Sequence, residues 1–144
     1  MAAWGEALSP QARADVQALV DAGLAAGRSA LAGAEVIVPI PVLVATSGQV
    51  LTLSFDGGGL SLPEQAEHAV AALRKAATAA RAVGLVTTTA ARGKGEVLEV
   101  WAEHAEGAAL LLRQPYRRSL LGGVVEFEAL AAYPGERRIW PAAG

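Results

Sequence analysis

The chain contains no cysteine. That absence removes disulfides, thiolate metal sites and cysteine nucleophiles together. Aromatic residues make up only 5% of the 144 positions, so the core has to be built from Val, Leu and Ala. No charge of one sign dominates: 12 Lys and Arg stand against 14 Asp and Glu, a formal net charge of -2. Such a balance gives no strong field to attract nucleic acid or an anionic membrane. The longest apolar run, residues 36–45, is interrupted by Pro39 and Pro41 and is too short to span a bilayer. The opening M-A-A-W-G-E-A-L-S-P has neither a basic nor an apolar leader region, so no signal peptide is expected. With no cysteine, a reducing cytoplasm is the expected compartment. What is plentiful is apolar: 53% hydrophobic residues against 18% charged argues for a folded chain, and the length fits a single domain over 1–144.

Ser9-Pro10 is a helix start, with Ser as N-cap and Pro in the first helical position. Val16, Leu19, Val20, Leu24, Gly27 and Leu31 then recur at helical spacing. Arg13, Asp15, Gln17, Asp21 and Arg28 are read on the remaining surface of this helix. Gly23 and Gly27 either break it or admit a second backbone closely; Gly33 is a suitable end. Residues 35–46 are extended by composition. Pro39 and Pro41 confine their half to an edge, or to the stretch before the strand proper. A two-residue turn at Ser47-Gly48 closes a hairpin, with Val42 and Val44 sharing a face with Leu51, Leu53 and Phe55, and Leu43 and Val50 opposite. Ser61-x-x-Glu64 with Pro63 is a capping box opening a second helix. That helix is expected to run to about Val83, burying Ala66, Ala69, Val70, Leu73, Ala77 and Ala80, with Gly84 as its stop. Strands follow at residues 85–91, in the hairpin 96–118 and at 124–132. A turn at 133–136 leads to a last strand or tail holding Ile139 and Trp140. The expected fold is α+β: two long helices on a largely antiparallel sheet of five or six strands, in the order α-β-β-α-β-β-β-β. In element order this is similar to roadblock and profilin-like domains, a likeness of topology without a shared motif.

The hairpin 96–118 carries most of the polar chemistry. Ala105-Glu106-Gly107 suits a three-residue loop with Gly in the left-handed position. That loop sets a register in which Val100 faces Leu112 and Glu99 faces Arg113. One face then holds Leu98, Val100, Ala102, Leu110 and Leu112, with His104 at its turn end. The other holds Glu99, Trp101, Glu103, Leu111, Arg113 and Arg117. As a groove, the charged face would take a ligand or a partner; as a solvated face, it carries one cross-strand ion pair. Glu99 and Glu103, four residues apart on a strand, lie roughly 13 Å apart, too far to share a proton or a water.

No catalytic set accompanies these residues. His68 and His104 are the only histidines, and no metal-binding spacing surrounds either, so no metal or other cofactor is expected. Glu64 and His68 form an i,i+4 helical pair. No serine sits in a nucleophile elbow. Asp56-Gly57-Gly58-Gly59 lacks the Lys of a phosphate loop and reads as a linker. Arg117-Arg118-Ser119-Leu120-Leu121 and Arg137-Arg138-Ile139-Trp140 place arginines beside large apolar groups, the combination that interface centres favour. The expectation is a non-enzymatic cytoplasmic domain that forms a homo-oligomer, a dimer first of all, or binds another protein. The candidate surface is Glu99, Trp101, Glu103, Arg113, Arg117, Arg118, Leu120 and Leu121. The alternative is a small-molecule site or enzyme on the charged hairpin face. Nucleic acid is disfavoured, because no aromatic ladder accompanies the arginines.

Overall fold

The structure, a computed structural model, describes residues 8–33, 37–90, 96–119 and 124–140. The elements are α1 (Pro10–Gly33), β1 (Ile40–Ala45), β2 (Val50–Thr52), α2 (Leu62–Ala76), a 3-10 turn (Ala77–Ala79), β3 (Ala80–Ala90), β4 (Glu96–His104), β5 (Ala109–Arg118), β6 (Val125–Phe127) and β7 (Ala131–Pro134). All strand pairs are antiparallel. The sheet runs β2-β1-β3-β4-β5-β6, and β7 also pairs with β5. The fold is α+β, with two helices against a largely antiparallel sheet. The turn expected at 92–95 and Leu120 and Leu121 lie outside the described residues.

The two helices pack on opposite faces of the sheet. Ser9 caps α1, its Oγ accepting the Ala12 N–H at 3.1 Å. The apolar stripe of α1 buries Val16, Leu19, Leu24 and Leu31 against Val42, Val44, Val86, Leu98 and Val100. Gly23 and Gly27 do not break α1, which is one helix of 24 residues. They let it approach. A Cβ on Gly27 would stand 2.7 Å from Leu98 Cδ1, and one on Gly23 would stand 3.2 Å from Val86 and Val100 methyls. On the other face α2 buries Ala69, Val70 and Leu73 against Leu43, Val83, Leu85 and Trp101.

The first hairpin corrects the expected faces. Its register pairs Val44 with Val50 and Leu43 with Leu51. The loop is Thr46-Ser47-Gly48, three residues rather than two, with Gly48 at φ 93° donating to Ala45 O at 2.8 Å. The extra residue moves β2 by one position. Val50 therefore joins Val42 and Val44 toward α1, while Leu53 and Phe55 join Leu43 toward α2. Pro39 precedes β1, and Pro41 lies within it, paired to Leu85 of β3. The Pro41 carbonyl accepts Leu53 N–H on the β2 side, beyond the last β1–β2 pair at Val42 and Thr52. The absent N–H of Pro41 thus falls at the fraying end of the β1–β2 pairing.

The second helix is shorter than its composition suggests. Its capping box is present, Ser61 Oγ accepting Glu64 N–H while the Glu64 carboxylate accepts from Ser61. The helix stops at Ala76 instead of near Val83, and Ala80 opens β3. Alanine favours helix, but the 80–90 stretch fills the place between β1 and β4, where its N–H and C=O groups gain partners on both sides. Gly84 is therefore not a helix stop. It sits mid-strand, where a Cβ would stand 2.8 Å from Trp101 O.

The stretch expected as one strand at 124–132 is β6 and β7 on the same edge of β5. Their registers differ by one residue: Tyr116 pairs with Phe127, and Arg113 with Ala131. The slip falls at 128–130, and Gln114 Nε2–H satisfies the Glu128 carbonyl there at 3.0 Å. The expected turn at 133–136 is instead the end of β7, and Gly135 N–H still pairs to Ala109 O at 3.1 Å. Residues 137–140 form no strand.

Candidate functional site

The β4–β5 hairpin has the register its loop demands. Gly107 takes φ 119° and donates to His104 O at 2.9 Å. Val100 pairs with Leu112, Ala102 with Leu110, and Glu99 with Arg113. Arg113 Nε donates to Glu99 at 2.8 Å, with both side chains partly in water. Leu98, Val100, Ala102, Leu110 and Leu112 face α1 as expected.

The charged face is not open along its length. Trp101 is buried and Glu103 completely so. Residues 136–140 cross over them as a strap. The Glu103 carboxylate accepts the backbone N–H groups of Arg138, Ile139 and Trp140 at 2.5, 3.0 and 2.8 Å. Trp101 Nε1–H donates to Glu136 O at 2.7 Å, and the Arg138 guanidinium lies 5.2 Å from the Trp101 ring centroid. The Arg74 guanidinium of α2 donates to Arg138 O at 3.2 and 3.3 Å. Ile139 and Trp140 pack on the α2-side core. Alternation along β4 cannot reveal this cover, because it arrives from 35 residues away. Glu103→Ala is expected to cost about 2 kcal/mol. The loss is limited because the freed N–H groups can reach water when the strap lifts. Urea denaturation of both proteins measures it.

The remaining predicted positions separate. Arg117 is exposed and only loosely paired to Glu126, at 3.9 Å. Arg118 is half-buried. Leu120 and Leu121 fall outside the described residues. Glu99 and Arg113 bond each other, while Trp101 and Glu103 serve the strap.

A second polar cluster lies on the α1 face at the turn end of the hairpin. Asp15 is buried within the apolar stripe of α1. Its carboxylate accepts from Gln11 at 2.9 Å, from Arg81 at 2.9 Å and from His104 Nε2 at 3.0 Å. His104 Nδ1 accepts the Glu106 N–H at 3.0 Å. That bond assigns the proton to Nε2, a neutral imidazole with both ring nitrogens engaged. The ring therefore offers no free nitrogen to a metal or to a nucleophile's proton. Burial opposes ionisation of Asp15, and the bonds from His104 and Gln11 together with the Arg81 charge outweigh it, holding its carboxyl below the usual 3.8. Glu106 reaches back to Ser9, accepting from its hydroxyl at 2.7 Å and its N–H at 3.2 Å. The cluster thus ties the start of α1 to the hairpin loop. Sequence reading placed Asp15 with the solvent-facing charges. The missed signal is its spacing, three after Ala12 and four before Leu19, both fully buried.

An apolar cleft of about 390 Å³ opens beside the last strand. Val20 of α1, Leu110 and Leu112 of β5, and Leu130 and Tyr133 help to line it. Leu130 and Tyr133 are also exposed, 42% and 47%. Among the described residues no group of three or more His, Asp or Glu is placed to hold a metal ion, and no helix is long and apolar enough to cross a membrane.

No family model, no curated protein and no solved structure matches this chain.

Proposed function

We propose that the chain is a single non-enzymatic domain of the cytoplasm that works by associating with another protein, first of all with a second copy of itself. The observation carrying this reading is the pairing of exposed apolar anchors with an adjacent apolar cleft along β7. Leu130 and Tyr133 are exposed, and the buried Val20, Leu110 and Leu112 line the cleft with them. Anchor and cleft lie on one surface of one chain, so a single two-fold contact can fill both copies' clefts. Tyr133 also suits an interface centre, where tyrosine is favoured. Strand-to-strand addition is less suited, because the slip at 128–130 and Pro134 interrupt the edge.

Light scattering tests the reading. The wild-type protein is expected to run as a dimer at tens of micromolar, and Leu130→Asp with Tyr133→Asp as a monomer of unchanged circular dichroism. A monomeric wild type would overturn self-association. Leu120→Asp and Leu121→Asp test the arginine-leucine stretch in the same way. A small-molecule site on the Glu99, Trp101, Glu103 and Arg113 face has weaker support, since residues 136–140 already engage two of the four.

A further inference from the structure

We infer that the strap-covered face is a receptor site for a peptide segment of Arg-Arg-aliphatic-Trp pattern, and that residues 136–140 are its resident, displaceable occupant. The inference rests on the interaction reading above and adds a second surface to it, with a partner of stated chemistry.

The contacts are those of peptide recognition rather than of core packing. Three consecutive strap N–H groups converge on one carboxylate, that of Glu103. Two strap carbonyls are taken by the Trp101 indole and the Arg74 guanidinium. Main-chain bonds of this kind hold any chain of suitable shape, and side-chain pockets then select among them. Selection here falls to the Trp101 ring, on which Arg138 stacks, and to the apolar surface that takes Ile139 and Trp140. The polar receptor groups, Glu103, Trp101 and Arg74, belong to β4 and α2, both regular elements with their own hydrogen bonds. The strap has no such support: past Gly135 none of its residues enters a strand.

The choice of Glu at position 103 points the same way. A buried carboxylate must give up its water, and here three strap N–H groups and the Arg137 guanidinium, 3.9 Å away, replace that water only while the strap is seated. A carboxylate can recover that water each time the strap lifts, which suits a site whose occupant exchanges. In the closed state the tethered strap competes with any free peptide through its high effective concentration.

The test uses the full chain and a fluorescein-labelled peptide, Glu-Arg-Arg-Ile-Trp. Ile139→Asp with Trp140→Asp weakens the strap and leaves Glu103, Trp101 and Arg74 in place. This variant is expected to bind the peptide at least tenfold more tightly than the wild type, by fluorescence anisotropy. Adding Glu103→Ala is expected to remove at least tenfold of that affinity. A folded strap variant that binds no better than the wild type overturns the inference. Should the double substitution fail to give a cooperative melt, Trp140→Ala replaces it under the same criterion. Hydrogen exchange of the wild type gives an independent reading. The N–H groups of 138–140 are expected to exchange through local opening, well ahead of β4 and β5; exchange only with global unfolding overturns the inference. Both measurements are made with Leu130→Asp and Tyr133→Asp also present, so their outcome does not depend on whether the chain self-associates through β7.

Discussion

Asp15→Ala is expected to lower the unfolding free energy by about 3 kcal/mol, within the range of about 3–5 kcal/mol found when one partner of a buried ion pair is removed. Asp15 is the common acceptor for Gln11, Arg81 and His104. Without it the buried His104 keeps an Nε2–H with no acceptor from α1. Arg81 fares better: its side chain is 31% exposed and can turn to water, which sets the estimate at the low end of the range. The loss also depends on pH. The Asp15 carboxyl titrates below its usual 3.8 in the folded chain, so the stability it contributes is fully present above that value. It disappears as pH falls through the depressed folded value. Urea titrations at pH 7 and near pH 3 should therefore show the gap between wild type and Asp15→Ala narrowing with acid. A gap of equal size at both pH values would mean that the ionised carboxylate is not what stabilises the cluster. Asp15→Asn separates charge from hydrogen bonding. It should recover part of the loss at pH 7 and show little of the pH dependence.

The residues that were legible in the sequence and those that were not differ in the range of the interactions that place them. The β4–β5 register follows from a loop of three residues, and Glu99 and Arg113 meet across it only 14 residues apart. Both serine caps are equally local: Ser9 and Ser61 each accept from a backbone N–H three residues on. The β3 boundary failed because alanine's helical preference is a weak local term, overridden when residues 80–90 pair with β1 and β4. The Ser47-Gly48 turn failed by one residue, and that single step exchanged every face in β2. The polar clusters were the least legible. Asp15 and His104 are 89 residues apart, and Glu103 and the strap about 35, so no window of sequence contains either pair. Of the candidate surface, the Glu99–Arg113 contact could be foreseen, but the burial of Trp101 and Glu103 could not.

Leu98→Ala should also cost about 3 kcal/mol, as removal of a fully buried leucine typically does when its surroundings relax only in part. What makes this site informative is its neighbour. The space Leu98 fills is bounded by Gly27, where an added Cβ would lie 2.7 Å from Leu98 Cδ1. In the wild type Gly27→Ala must push that methyl aside, and overpacking of this kind costs about 1–3 kcal/mol. The same change relieves the helix of a glycine, a gain of about 1 kcal/mol. The clash is expected to win in the wild type, so Gly27→Ala is destabilising there. In the Leu98→Ala background the tightest contact is gone, and the vacated space lets Val86 Cγ1, 3.0 Å from the added Cβ, give way, so Gly27→Ala should become stabilising. A double-mutant cycle by thermal or urea denaturation reads this reversal of sign directly. If Gly27→Ala has the same sign in both backgrounds, α1 is not held at the distance described. That distance also matters for the polar cluster, because Asp15 sits on the same stripe of α1 as Gly23 and Gly27. A helix kept off the sheet by a larger residue at 27 would draw Asp15 away from His104. Gly27→Leu in the wild type should therefore reproduce part of the Asp15→Ala phenotype, including its weaker dependence on acid.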